Sequence, residues 1–191
     1  MNSSSSKNGL LFAIIAIVAG TLLRIFNFEI GGFHLVPIVA ISLFSGAILK
    51  NKLALVVPVG IMLLSDIYLQ LTSGTGFYGI GQLFVYGAFV LIALMGSKMN
   101  KISTVSVLGT TVSSAMIFWI VSNLGVFAGG YYGYSVFGFI NTYAMALPFL
   151  QNDAAANALF FNPIFVNTLT SFVLFGAFAL AANTKKIAIA K

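Results

Sequence analysis

Two ionisable side chains lie inside long apolar segments of the chain, Arg24 in the first segment and Asp66 in the third. Because charge is costly in hydrocarbon, such residues are candidates for a functional role. Each lies a few residues before the end of its segment, and a rise of about 1.5 Å per residue puts both at similar depth. Three interpretations stay open: a structural ion pair, a site for a polar solute, or an Asp66 carboxyl that exchanges a proton. Arg24 is also long enough to reach the membrane surface.

Further polar side chains occur in the same half of the other apolar segments. Buried amide and ring N–H groups need hydrogen-bond partners, so we expect them to face the interior of a helix bundle. They either line a pocket that is open at this end of the bundle or hold neighbouring helices together. The predicted lining residues are Arg24, Asp66, Tyr86, Trp119 and Asn123, and the other polar residues at this depth are His34, Gln82, Ser122, Asn162 and Asn167.

The chain lacks the residues that most catalytic and metal sites require. It has no cysteine, one histidine and three acidic residues, which leaves too few donors for a metal site. The Gly-x-x-x-x-Gly-Lys-Ser/Thr phosphate loop and the Gly-x-Ser-x-Gly and His-Glu-x-x-His hydrolase motifs are absent from the sequence. We therefore predict no enzymatic activity, no cofactor and no metal. The net charge of +6 comes from dispersed cations, so we expect no nucleic-acid partner.

Composition indicates that lipid is the solvent for most of the chain. The residues are 60% hydrophobic and 6% charged, against roughly 25% charged in a soluble domain. A transmembrane helix needs about 20 mainly apolar residues, and six segments approach this length. We predict an all-α membrane domain over residues 9–182, with tails at 1–8 and 183–191. The second segment is short for a span, so it is expected to be the least tilted or to be partly shielded by its neighbours. The six segments are Gly9–Phe28, His34–Leu49, Leu53–Leu71, Gly79–Gly96, Thr104–Phe127 and Leu159–Ala182.

Lysines fall on one side of the six-span arrangement. They precede span one, follow span six, and occupy the connections between spans two and three and between spans four and five. The opposite connections contain Glu29 and Asp153 and no lysine. The positive-inside rule then predicts a multi-pass protein of the cell membrane with both termini in the cytoplasm. The first apolar run lacks a small-x-small cleavage site and is predicted to be a retained span.

The connection over residues 128–158 is long and rich in glycine and tyrosine at its start. Val136–Leu150 is predicted to form a helix on the outer surface or a re-entrant helix. The segment Tyr131–Asp153 is predicted to cover the pocket. On span one, Ala16 and Gly20 form a small-residue face, which permits close contact with another helix of the bundle or with a partner protein.

Several short strings in the sequence resemble an uncharacterised bacterial family described as transport proteins. This family is similar to the S components of energy-coupling factor transporters, which are six-helix membrane proteins that capture vitamins or other micronutrients. The resemblance implies the same topology, a separate transmembrane coupling protein with two ATPases, and a docking role for Ala16 and Gly20. The strings are Pro37–Ala47, Val57-Pro58, Ser65-Asp66, Val85–Phe89, Ser122–Gly125 and Tyr143–Phe149, together with Arg24.

The leading hypothesis is a substrate-capture protein for uptake of a small organic solute. In it, Arg24 binds an anionic or carbonyl group, and Tyr86 and Trp119 stack on a flat ring. One alternative is a solitary secondary transporter that is driven by protons through Asp66. The other is a non-transporting membrane subunit in which Arg24 and Asp66 form a structural pair.

Overall fold

The structure, a computed structural model, describes residues 3–29, 37–49, 52–146 and 163–189. All regular secondary structure in these residues is α-helical, and it forms seven helices. Four of them are long and apolar enough to cross a membrane, at Gly9–Glu29, Leu53–Ser73, Ile80–Ser97 and Thr104–Ala128. The chain is thus a helical protein with the features of a multi-pass membrane protein. The helices are α1 (Ser3–Glu29), α2 (Ile38–Leu49), α3 (Leu53–Ser73), α4 (Ile80–Ser97), α5 (Thr104–Ala128), α6 (Val136–Ala144) and α7 (Pro163–Ile189).

Helix α2 lies at the centre of the bundle. It packs against α1, α3, α4, α5 and α7, and these five helices contact one another in the order α1, α3, α4, α5, α7 around it. Nine of its twelve residues are buried, including Leu43 and Phe44. This burial agrees with the shielding predicted for the short second segment, since a helix enclosed by protein does not need to match the bilayer thickness.

Glycines allow α2 and α4 to approach closely. A methyl group added to Gly46 would lie 2.0 Å from the carbonyl oxygen of Ala93, and one added to Gly96 would lie 2.2 Å from that of Leu43. Small residues at a helix interface give this close backbone contact, which is the main source of helix association where lipid replaces water. At the other face of α2, Phe44 packs edge-on against Phe175 of α7 with ring centroids 5.0 Å apart.

The ends of three helices differ from the prediction. Helix α1 begins at Ser3, before the predicted start of the first span at Gly9, which coincides with the start of the candidate span Gly9–Glu29. Helix α7 extends over Pro163–Ile189, past the predicted end of the sixth span at Ala182. Helix α6 was predicted to reach Leu150 but ends at Ala144. The proline at position 148 disfavours helical conformation at the residue before it. The end of α6 before position 147 agrees with this preference.

Several predicted features fall outside the described residues. They are the starts of the second and sixth spans at His34 and Leu159, the ends of the outer helix and cover at Leu150 and Asp153, and the side chain of Asn162.

Candidate functional site

The carboxylate of Asp66 is the centre of a buried polar cluster at one end of the bundle. Its side chain is completely buried in α3, and its two oxygens accept hydrogen bonds from two other helices. Oδ1 accepts from Nη1 of Arg24 on α1. Oδ2 accepts from Nε2 of Gln82 at 2.6 Å and from the Tyr86 hydroxyl at 2.7 Å, both on α4. The cluster therefore joins α1, α3 and α4 through one carboxylate.

Helix α4 supplies its two donors because they are four residues apart. Residues at i and i+4 lie on the same face of a helix, so Gln82 and Tyr86 approach Asp66 together. Nε2 of Gln82 also donates to the carbonyl oxygen of Gly76 at 3.2 Å, in the connection between α3 and α4. A methyl group on Gly76 would lie 1.9 Å from the backbone oxygen of Asp66, so only glycine allows this connection to fold over the cluster.

Arg24 reaches the cluster because α1 packs closely against α3 one turn below it. Gly20 faces Ile61, and a methyl group at this position would lie 2.5 Å from the end of that side chain. From there, Nη1 of Arg24 donates to Ser65 Oγ as well as to Asp66, with a longer contact of 3.5 Å to the Met62 carbonyl oxygen. The predicted small-residue face thus includes Gly20 in a contact within the bundle, and Ala16 beside it is half-buried against the core.

The guanidinium of Arg24 is held by one edge only. Every hydrogen bond that it donates within the described part of the chain comes from Nη1, although a guanidinium has five N–H donors. The Arg24 side chain keeps 17% of its surface exposed, in contrast to the enclosed Asp66. Nε and Nη2 donate to none of the described residues.

Two buried polar atoms on the face of α1 that carries Arg24 have no hydrogen-bond partner among the described residues. They are Oδ1 of Asn27, a residue that is 5% exposed, and Oγ1 of the half-buried Thr21. They lie three residues after and three residues before Arg24, a spacing that places all three side chains on one helix face. Neither was included in the predicted site, although this spacing was visible in the sequence.

Trp119 and Asn123 belong to a second polar group that attaches α6 to α5. Nε1 of Trp119 donates to the Ala146 carbonyl oxygen at 3.1 Å, just beyond the end of α6. The Tyr143 hydroxyl donates back to the Ile120 carbonyl oxygen at 3.0 Å, and the Trp119 and Tyr143 rings meet at 5.2 Å between centroids. Nδ2 of Asn123 donates to the backbone oxygen of Trp119 at 2.7 Å.

The five predicted site residues thus fall into two groups. Arg24, Asp66 and Tyr86 form one cluster, and Trp119 and Asn123 lie on α5, which does not pack against α3 in the described parts of the chain. Asn167 of α7, noted only for its depth, accepts a hydrogen bond from the backbone N–H of Ala40 at 3.1 Å. This contact caps the first turn of α2, whose N–H groups have no partner within the helix.

Tyr78 lies beside the cluster in the connection between α3 and α4 and was missed by sequence reasoning. Partial burial raises the pKa of its hydroxyl, as does the negative charge of Asp66, while Arg24 acts in the opposite direction. The phenol is therefore protonated at neutral pH. The described residues contain no group of three His, Cys, Asp or Glu side chains that could hold a metal ion.

These observations describe a helical protein with the features of a multi-pass membrane protein and a buried polar cluster that joins three of its helices. A family profile matches residues 3–189, and the chain belongs to this family, a family of unknown function (DUF6580). No curated protein and no solved structure matches the chain significantly. These comparisons give no support to the resemblance to S components.

Proposed function

We propose that this protein is a six-span substrate-capture subunit for uptake of a small organic solute such as a vitamin or micronutrient, in the manner of an S component. The observation that carries the proposal is the open edge of Arg24. Its guanidinium is partly exposed, uses only Nη1 within the cluster, and lies on one helix face with Asn27, whose Oδ1 has no hydrogen-bond partner among the described residues.

In this proposal, Asp66 orients Arg24 and does not touch the solute. The carboxylate already accepts from Arg24, Gln82 and Tyr86, so it has little remaining capacity for a ligand. It keeps the guanidinium in one position, and a planar guanidinium edge binds carboxylate or carbonyl oxygens with two parallel hydrogen bonds. Asn27 adds an amide within one helical turn of this edge, which suits a solute that carries donors beside its acceptor.

The second polar group has a different proposed role. The ring N–H of Trp119 is occupied by the end of α6, so we assign Trp119 to holding the outer cover in place and not to stacking on the solute. Asn123 supports the same stretch of α5 through the Trp119 carbonyl oxygen. Tyr86 stays part of the binding region through its contact with Asp66.

Topology and partners complete the proposal. The lysine distribution supports six spans with both termini in the cytoplasm of the cell membrane, with α2 and α7 as the two further spans. Energy comes from a separate transmembrane coupling protein and ATPases, since the sequence has no phosphate-binding loop. Gly20 contacts α3 in the isolated chain, so docking through Ala16 and Gly20 requires α1 to shift when the coupling protein binds.

One observation favours a second function, that of a non-transporting structural subunit. The carboxylate of Asp66 accepts three hydrogen bonds from Arg24, Gln82 and Tyr86. A purely structural cluster would need these bonds, because a buried charge is tolerated when it is paired and hydrogen-bonded. This alternative predicts that no solute binds and that the exposed part of Arg24 is solvated.

The test is purification of the tagged full-length chain from its native host in mild detergent, followed by mass spectrometry of co-purifying proteins and small molecules. We expect a coupling membrane protein, ATPases and one solute released on denaturation. The informative variant is Arg24→Lys, which retains a cation for Asp66 but lacks the second guanidinium edge. It should keep the partners and lose the solute, while Lys52→Gln, an exposed cation far from the cluster, should keep both.

Other results would contradict the proposal. Equal solute content in the wild-type and Arg24→Lys proteins would remove Arg24 from binding. A chain that purifies alone and without solute would favour the structural subunit. A chain that purifies alone but gives proton-driven uptake in liposomes would favour the solitary transporter.

A further inference from the structure

A long apolar groove runs along the outer surface between α4 and α5. It consists of two adjoining hollows, each with a volume of about 440 Å³, which share Leu91 and Val121 in their walls. We refer to it as the α4–α5 groove. One hollow is further lined by Leu94, Met95, Lys98, Ile117 and Ile120, and the other by Leu83, Phe84, Gly87 and Val90.

The groove has a charge at one end and apolar walls elsewhere. Lys98 caps the C-terminal end of α4 and is the one charged residue among those that line the two hollows. Lys101 is exposed three residues further along the same connection. At about 1.5 Å per residue, the eleven steps from Gly87 to Lys98 span about 16 Å, close to half of the roughly 30 Å hydrocarbon core.

The depth of the groove at its middle comes from a missing side chain. No atom lies within 4 Å of the position that a methyl group on Gly87 would occupy, so this part of α4 leaves open space beside α5. Leu83, Leu91 and Ile120 form projecting walls, with 71%, 46% and 45% of their surfaces exposed. The shape is therefore a channel open to the side.

We propose that the α4–α5 groove binds one anionic phospholipid from the leaflet on the lysine side. One acyl chain lies between α4 and α5 as far as Gly87, and the head-group phosphate pairs with Lys98, with Lys101 nearby. The length of one leaflet and the single charge at the end of an apolar channel match this amphiphile. The site is formed by α4 and α5, and it rests on the membrane topology in the proposed function but not on solute binding at the Asp66 cluster.

The experiment uses native mass spectrometry of the full-length protein after delipidation in detergent. The protein is offered dioleoyl phosphatidylglycerol and dioleoyl phosphatidylcholine, which differ in head-group charge and share their acyl chains. We expect one retained phosphatidylglycerol per chain, preferred over phosphatidylcholine by about fivefold, the ratio that a lysine contribution of about 1 kcal/mol gives.

Two pairs of variants separate head-group recognition from chain binding. Lys98→Gln should abolish the preference, while Lys52→Gln, an exposed lysine outside the groove, should keep it. Gly87→Leu should fill the channel and lower the retention of both lipids. Gly109→Leu should leave retention unchanged, since Gly109 on α5 also has open space around its Cα but does not line the groove.

Three outcomes would overturn the proposal. One is equal retention of the two lipids by the wild-type protein. Another is a preference for phosphatidylglycerol that is the same in the Lys98→Gln variant, the Lys52→Gln variant and the wild-type protein. The third outcome is that a second copy of the chain or another protein binds to the wild-type protein and that Gly87→Leu prevents this binding. The groove would then be a protein contact.

Discussion

Replacing Arg24 by alanine leaves the Asp66 carboxylate charged, completely buried and without its cationic partner. Removal of one member of a buried ion pair costs about 3 to 5 kcal/mol, mainly because the remaining charge is unpaired in a medium of low dielectric constant. Gln82 and Tyr86 still donate to Oδ2, which places the expected loss near the lower limit of this range. We therefore expect Arg24→Ala to lower the free energy of unfolding by about 3 kcal/mol.

The reverse substitution should cost less. Asp66→Ala leaves Arg24, which retains 17% exposure, so its charge can be hydrated near the end of the bundle. The loss of hydrogen bonds to a charged group gives an expected decrease of about 2 kcal/mol. In the double variant no charge stays buried, so its total loss should be smaller than the sum of the two single losses by about 2 kcal/mol.

Reversible unfolding in mixed micelles of mild detergent and sodium dodecyl sulfate measures these differences. The chain has a single tryptophan, Trp119, whose fluorescence reports unfolding and which lies outside the Asp66 cluster. Lys52→Ala serves as the control for removal of an exposed cation and should change stability by less than about 0.5 kcal/mol. Additivity of Arg24→Ala and Asp66→Ala within about 0.5 kcal/mol would refute the inferred coupling.

Three further substitutions test the α2–α4 contact, the connection over Asp66 and the attachment of α6 to α5. Gly46→Val should destabilise the bundle by more than about 2 kcal/mol in the same assay, because its side chain would collide with the backbone of α4. The control is Gly109→Ala, which should not destabilise the bundle because the space at this position is open. Equal losses of stability in the two variants would contradict the close contact between α2 and α4. Gly76→Ala should displace the connection over Asp66 and expose α3–α4 backbone amides to faster hydrogen exchange, and unchanged exchange would show that the connection is not held there. Trp119→Phe removes one hydrogen bond, worth about 1 kcal/mol, and should speed exchange in α6 but not in α1; similar changes in both helices would indicate a global effect.

Hydropathy was sufficient to predict the helical class and most of the helices. The backbone hydrogen bonds of a transmembrane helix are all made within that helix. An apolar run of about 20 residues therefore predicts where a helix lies, without knowledge of the neighbouring helices. The limits of α3, α4 and α5 lie within two residues of those predicted. Helix α2 could not be assigned as a span by length alone, because its enclosure by five other helices is a property of packing.

The candidate site was less predictable than the helices. The depth argument paired Arg24 with Asp66, and the structure brings them together with Tyr86. The same argument grouped Trp119 and Asn123 with them, although depth does not specify which face of a helix meets which neighbour. Trp119 instead attaches α5 to the end of α6, and Asn123 donates to the Trp119 carbonyl oxygen within α5.

The amino-acid sequence by itself predicted that this chain is helical, that it has the composition of a multi-pass membrane protein, and that Arg24 and Asp66 lie at similar depth. These properties follow from composition and from the position of each residue within its own segment. Only the tertiary structure decided which of the polar groups meet. Arg24 and Asp66 are 42 residues apart, and their contact depends on the close approach of α1 and α3 at Gly20. Such an approach is set by packing between helices, which no local pattern encodes.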